Sequence, residues 1–172
     1  MKGMILNQAL SYKTKRYQKD NNKLRSSIPY NEAVQIGIVF SNDTHEKSLK
    51  AEQLVAKYRA DNKQIKVVAY DRNVQVKHLP FESFSNKDIN FWGSFINQSI
   101  NQFAETSFDF LICLDNPPSK IIQNLIAKSK AKCRVGISAS MEVPDNLFEL
   151  IIQTANDMNL VDSIYSYTKN IR

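Results

Sequence analysis

The chain has 172 residues, a formal net charge of +6 and 42% hydrophobic residues, which together predict one folded domain. No apolar run approaches the roughly 20 residues needed to cross a bilayer, and the N-terminus lacks the pattern of a signal peptide, so we expect a cytoplasmic protein. Cys113 and Cys133 lack metal-ligand spacing, so neither a disulfide framework nor a zinc site is predicted, and both are expected to be buried thiols.

The positive charge is concentrated at the N-terminus. Residues 1–30 contain seven Lys or Arg and a single Asp, whereas residues 31–172 contain 16 basic and 16 acidic residues. Leu10, Tyr17 and Leu24 recur at seven-residue spacing, which predicts a narrow-striped amphipathic helix. We therefore divide the chain into a basic helical arm, residues 1–30, and a single α/β domain, residues 31–172.

Beyond the arm, apolar strand candidates alternate with helical segments. The strand candidates are residues 34–40, 65–71, 81–85, 108–115, 133–138 and 147–153, and the helix candidates are residues 46–60, 92–105, 117–129 and a last helix containing Leu160 and Ile164. Apolar strands separated by helices are typical of a parallel sheet covered on both faces. We therefore predict a three-layer, Rossmann-like α/β domain with a mainly parallel sheet of five or six strands in the order 3-2-1-4-5-6.

The loops after the strands contain the candidate ligand-binding residues, because ligands of open parallel sheets bind beyond the carboxyl ends of the strands. These residues are Asp43, Thr44, Lys87, Asp88, Trp92, Asp115, Asn116 and Ser119, and the Ser138-Ala139-Ser140 loop lies at the same edge. The loop after the first strand lacks the glycines of a dinucleotide or P-loop site, so no cofactor is predicted.

Several of these residues also have a structural interpretation, in which Asp43, Asp88 and Asp115 each cap a helix or a turn instead of converging on a ligand. Asp43 or Thr44 would cap the helix at 46–60, and Asn116, with Pro117 in the first turn, would cap the helix at 117–129. Phe91 and Trp92 would either seal the edge of the sheet or the start of the next helix, or stack on a base or sugar.

The two histidines do not suggest catalysis. His45 lies in a first helical turn and His78 in a polar turn, and neither has the partners of a metal site or a nucleophilic triad. We predict two solvated histidines, no metal, no catalytic residue, and on balance a protein that is not an enzyme.

Residues 108–138 resemble a strand, helix and strand in the N-terminal half of bacterial heptosyltransferase-like glycosyltransferases. The matching residues are Phe108-Asp109, Asp115, Ala131-Lys132, Arg134 and Gly136. Those enzymes have a glycine-containing first loop with a catalytic Asp and a second domain for the nucleotide sugar. This chain has Ser41-Asn42-Asp43-Thr44 in that loop and no second domain, so glycosyl transfer is not carried over.

Over its full length the chain resembles a family of small bacterial α/β proteins of unknown function. Asn90-Phe91-Trp92-Gly93 and Ala127-Lys128-Ser129-Lys130-Ala131-Lys132 carry this resemblance. It implies a Rossmann-like fold and no particular activity.

Two hypotheses for function follow. In the first, the protein is a binding or scaffold module whose arm engages an anionic partner, RNA or the ribosome ahead of lipid, through Lys13, Lys15, Arg16, Lys19, Lys23 and Arg25. A structural alternative packs the arm on the domain or on a second copy and leaves its lysines solvated. In the second hypothesis, the loops after the strands bind a nucleotide or sugar phosphate, in a domain related to half of a glycosyltransferase.

Overall fold

The computed structural model describes residues 2–72, 80–138, 146–153 and 159–172, and these form a three-layer α/β fold. The strands are β1 (Gln35–Ser41), β2 (Gln64–Asp71), β3 (Glu82–Ser85), β4 (Phe110–Cys113), β5 (Cys133–Ser138) and β6 (Leu150–Gln153). All neighbouring strands pair in parallel, in the order β3-β2-β1-β4-β5-β6. The prediction of a mainly parallel, six-stranded sheet and of its strand order is confirmed.

Helices cover both faces of the sheet. They are α1 (Lys2–Asn21), α2 (His45–Ala60), α3 (Gln98–Glu105), α4 (Lys120–Lys128) and α5 (Leu160–Lys169). Apolar side chains of α2 and α5 form one core layer with Ile38 and Phe40 of β1, whereas α1, α3 and α4 cover the opposite face around Val39 and Leu111. No helix within the described residues is long and apolar enough to span a membrane.

The N-terminal helix α1 packs against α4. Leu10 is only 1% exposed and lies in the core layer of α3 and α4, with Tyr17 partly buried beside it. Leu24, the third residue of the predicted stripe, is exposed, because α1 ends at Asn21 and a short 3₁₀ turn (Asn22–Leu24) follows. The Asn21 side-chain amide donates to the carbonyl oxygens of Ala127 and Lys128, 3.1 Å away in each case, which ties the end of α1 to the end of α4.

Two helices begin later than the sequence predicts. The helix expected from residue 92 begins at Gln98, because Gly93, with φ +71°, lies in a turn and Asn97 caps α3 by accepting from the Ser99 N–H. The helix expected from residue 117 begins at Lys120, with Ser119 rather than Asn116 as its cap. A residue before proline disfavours the helical conformation, so Pro118 delays the start of α4.

Candidate functional site

Asp115 links three elements at the carboxyl edge of the sheet. The parallel register of β1 and β4 brings Ser41 beside Asp115, and the Asp115 side chain is nearly fully buried. Its carboxylate accepts from the Ser41 N–H at 3.0 Å, from the Ser41 hydroxyl at 2.6 Å and from the Lys47 ammonium of α2 at 2.9 Å. The chain's own donors therefore occupy the carboxylate that the sequence marked as a ligand-binding candidate.

The loop after β1 is held in a similar way. Thr44 caps α2 by accepting from the Lys47 N–H, while exposed Asp43 binds the Lys47 ammonium at 3.0 Å. The two carboxylates raise the pKa of Lys47 although partial burial opposes the rise. Here the four carboxylates of Asp43, Glu46, Asp71 and Asp115 outnumber the three basic residues Lys47, Lys50 and Arg72, so the local charge disfavours a phosphate.

We call the region formed by the loops at the carboxyl edge of the sheet the crevice. The remaining ligand-binding candidates from these loops are separated from one another or have structural roles. Asp88 accepts from the Ser85 N–H at 2.8 Å and from the Asn97 amide at 3.1 Å, and it closes a capping box on the turn Asn86–Asp88. Lys87 is exposed in the same turn, two strands away from β1. Asn116 is exposed and Ser119 caps α4, whereas Ala139, Ser140 and His78 lie outside the described residues. The structure therefore brings Asp43, Thr44 and Asp115 together around Lys47 but not Lys87, Asp88 or Trp92.

The basic residues of the arm divide into two groups. Lys13 donates to the Ser94 hydroxyl, and Arg25 donates to the carbonyl oxygens of Ser129 and Ala131, so both help to dock the arm. The other four are exposed. Arg16 pairs with Asp20 at 3.6 Å, but Lys15, Lys19 and Lys23 make no ion pair with the residues that the structure describes.

The end of α4 adds further lysines that sequence reasoning missed. Lys128 donates to the Asn101 side-chain oxygen and Lys130 to that of Asn21, and neither forms an ion pair with a described residue, although Glu105 lies close enough to interact with Lys128. Burial lowers the pKa of Lys128. Attraction by Glu105 opposes this shift, whereas repulsion by Lys13 and Lys130 lowers the pKa further. Lys13, Lys128 and Lys130 lie close together with Glu105, whereas Lys15, Lys19 and Lys23 are exposed on α1 and on the turn after it; we call these six lysines together the basic face. The repeated lysines of residues 127–132 were visible in the sequence, but only the docking of α1 brings them beside the arm.

Exposed aromatic side chains border the basic face. Trp92 is 70% exposed and Tyr12 is 69% exposed. A Cβ atom placed on Gly93 would lie 3.3 Å from the Leu10 nitrogen and 3.5 Å from the Ala9 carbonyl carbon, so the turn at residues 90–94 touches α1. Trp92 precedes Gly93 in that turn, and Tyr12 follows Leu10 by two residues on α1. The segment that includes Trp92 therefore belongs with the arm and not with the crevice.

The described residues offer little for covalent chemistry. No group of three or more His, Cys, Asp or Glu side chains among them could hold a metal ion. Both cysteines are buried free thiols, as predicted, and burial raises the pKa of Cys113 and raises that of Cys133 to about 11. Thiols with raised pKa values are poor nucleophiles near neutral pH. His45 is exposed at the first position of α2, in line with its prediction as a surface residue.

Comparisons with known proteins extend these observations. The fold is similar to the crystal structure of an exopolyphosphatase-related protein from Bacteroides fragilis, with a TM-score of 0.50 and 16% sequence identity. That match covers 90% of this chain and 44% of the other, so the chain spans less than half of that protein. At this identity the likeness establishes the fold alone, and the resemblance to glycosyltransferases gains no support from it. No curated protein matches the chain significantly. A model of a family of unknown function, DUF6913, matches residues 7–171, and the chain therefore belongs to that family.

Proposed function

We propose that the protein is a non-enzymatic module that binds the phosphate backbone of RNA on the basic face. One observation carries the proposal: Lys15 and Lys19 of α1 and Lys23 of the turn after it are exposed without an ion pair to any described residue, and Lys13 of the same helix lies close to Lys128. Phosphate contacts by Lys release condensed counterions, which is the main source of affinity for nucleic acids. The crevice offers no comparable excess of positive charge.

The docking of α1 supports this function. The helix is held by the burial of Leu10 and by hydrogen bonds from Asn21 and Arg25 to the end of α4. Its outward lysines are therefore presented from a fixed backbone, and binding does not have to order the arm first. A preorganised surface loses less conformational entropy on association than a free segment does.

Inorganic polyphosphate presents the same regular phosphates without bases. The structurally similar protein is described as exopolyphosphatase-related, and this is a reason to test polyphosphate beside RNA. Both ligands would bind the basic face with a strong dependence on salt, so lysine substitutions alone do not separate them.

The experiment compares two triple variants in binding to a fluorescently labelled 20-nucleotide RNA. Lys15→Ser/Lys19→Ser/Lys23→Ser removes three charges from the basic face, and Lys57→Ser/Arg59→Ser/Arg172→Ser removes three elsewhere. If five phosphates are contacted, the slope of log affinity against log salt is about −3.5, at about 0.7 per phosphate for a single strand. We expect the magnitude of the slope to fall by about two in the first variant, which leaves a slope of about −1.5, and to stay unchanged in the control variant.

Other results would contradict the proposal. If both variants bind the RNA equally well, the affinity depends on the total charge of the protein and not on the basic face. Binding of the wild type to anionic lipid vesicles but not to RNA or polyphosphate would point instead to a membrane surface. Concentration-dependent dimerisation, with no binding of any of these ligands, would favour self-association through α1.

The crevice remains a second candidate, as a site for a nucleotide or sugar phosphate. The observation that favours it is the Ser138 hydroxyl, which is buried at the carboxyl end of β5 and has no hydrogen-bond partner within the described part of the chain. A thermal-shift screen of nucleotides and nucleotide sugars tests it, because a ligand at 100 times its Kd adds about 2.7 kcal/mol of stability. If no ligand at millimolar concentration shifts the melting temperature, the crevice does not bind this class of compound.

A further inference from the structure

We infer that the RNA bound on the basic face is single-stranded and that Trp92 and Tyr12 stack on its bases. This inference rests on the proposed function and adds to it the form of the nucleic acid and the groups that recognise it. Proteins that bind single strands combine a basic surface that follows the backbone with aromatic side chains on which bases stack.

The turn that carries Trp92 is rigidly attached to α1. The Asn90 side-chain oxygen accepts from the N–H groups of Trp92 and Ser94 at 3.0 and 2.9 Å, which fixes the turn internally. Gly93 packs on the backbone of Ala9 and Leu10, and the Ser94 hydroxyl accepts from Lys13. The backbone of Trp92 is therefore held next to a lysine of the basic face.

The exposed rings of Trp92 and Tyr12 are not part of the hydrophobic core. The core on this side of the sheet is completed by Leu10, Phe95 and Phe103, all of which are buried. Trp92 meets Phe91 in an edge-type contact with ring centroids 5.6 Å apart, and both rings reach solvent. Phe91 and Trp92 together form an exposed apolar patch, and contiguous apolar patches rimmed by polar residues are a common feature of interaction sites.

The positive charge of the basic face favours a nucleic acid over a second copy of the chain as its partner. A second copy of the chain would bring an identical set of lysines against the basic face, and this repulsion disfavours a symmetric dimer. A nucleic acid strand supplies both complementary phosphates and flat rings. In a duplex the bases are already stacked on each other, whereas in a single strand their faces are available to aromatic side chains.

The test uses the intrinsic fluorescence of Trp92, which is the only tryptophan in the chain. The wild-type protein is titrated with a single-stranded 20-nucleotide RNA, with an RNA duplex of the same length and with polyphosphate. We expect the single strand to quench Trp92 strongly, and the duplex and polyphosphate to leave its emission nearly unchanged.

Substitutions provide the second measurement. Trp92→Ala is expected to weaken single-strand binding at least about fivefold with little change in the salt slope, since stacking contributes about 1 kcal/mol or more per base. Trp92→Phe should recover most of that loss, and Tyr12→Ala should weaken binding in the same direction. Tyr167→Ala, which removes an exposed aromatic ring from α5, is the matched control and should bind like the wild type.

The results separate this inference from the proposed function. Salt-dependent RNA binding that leaves Trp92 emission unchanged, and that Trp92→Ala does not weaken, would overturn the inference and leave the basic face as a binding surface. Equal affinity for the duplex and the single strand would also overturn it. A salt slope that is smaller by about two in the triple lysine variant, together with Trp92 quenching by the wild type, would support both.

Discussion

The side-chain amide of Asn124 in α4 donates to the carbonyl oxygen of Leu10 in α1 over 3.3 Å, although 114 residues separate them in sequence. The same amide lies 3.2 Å from the Thr14 hydroxyl, and Asn124 is fully buried. A buried polar group is costly without partners, so these bonds favour one position of α1 along α4. The N-terminal helix is therefore part of the packed structure, and its basic surface is held in a defined orientation.

Leu10→Ala should destabilise the protein by roughly 2–5 kcal/mol, because it leaves a cavity in the core layer between α1 and α4. Tyr12→Ala removes a larger but exposed side chain from the same helix and should cost less than about 0.5 kcal/mol. Urea denaturation of both variants measures the difference. Equal losses of stability would mean that α1 is not docked as described.

Gly93→Ala should lower stability by roughly 1–3 kcal/mol, because φ is +71° there and a Cβ atom would press on the backbone of α1. Gly3→Ala is the control, since nothing lies within 4 Å of a Cβ atom at that position and alanine favours a helix by about 0.5–1 kcal/mol over glycine. Thermal unfolding should therefore shift in opposite directions for the two variants. A Gly93→Ala protein as stable as the wild type would contradict the contact between the turn and α1.

Much of the fold could be predicted because the buried strands are short apolar runs separated by clear helical periodicity. The errors arose where two residues of similar propensity competed. Asn116 and Ser119 are both favourable N-cap residues. Ser119 caps α4 because Pro118 disfavours a helical conformation at Pro117. The residue type of Trp92 does not indicate whether its backbone is helical. The positive φ of Gly93 is incompatible with a helix that begins at residue 92.

The candidate sites were harder to predict because contacts distant in sequence define them. Asp115 follows an apolar strand, as a catalytic carboxylate often does, yet Ser41 and Lys47 occupy its oxygens. Periodicity places Leu10 on the inner side of α1, but it does not reveal that α4 ends beneath the arm with Lys128 and Lys130. Only the packing of α1 brings Lys13 of the arm close to Lys128.

Asp109 should make stability depend on pH. Burial acts to raise the pKa of this carboxyl, but hydrogen bonds from the N–H groups of Gln35 and Val34 and from Lys132 outweigh burial and lower it. The stabilisation is therefore present above the unfolded pKa of about 3.9 and is lost as the pH falls through the lower folded value. Asp109→Asn should be less stable at pH 7 by roughly 1–3 kcal/mol, and its disadvantage should shrink below about pH 4.

The measurement for Asp109 is urea denaturation from pH 7 to pH 2.5. Asp20→Asn, which changes an exposed carboxylate of α1, should follow the wild-type profile closely. A constant difference between Asp109→Asn and the wild type at every pH would contradict the lowered pKa of Asp109.

Asp115 and Asp43 form a natural comparison, because both accept from the Lys47 ammonium, at 2.9 and 3.0 Å, while only Asp115 is buried. Asp115→Asn should cost roughly 1–3 kcal/mol, since it weakens bonds from Ser41 and Lys47 that water cannot replace. Asp43→Asn breaks an exposed pair and should cost less than about 1 kcal/mol. Residues reserved for ligands commonly reduce stability, so replacing them tends to leave stability unchanged or to raise it. Unfolding curves in which Asp115→Asn is as stable as the wild type would therefore contradict the structural role and return Asp115 to the crevice as a ligand-binding candidate.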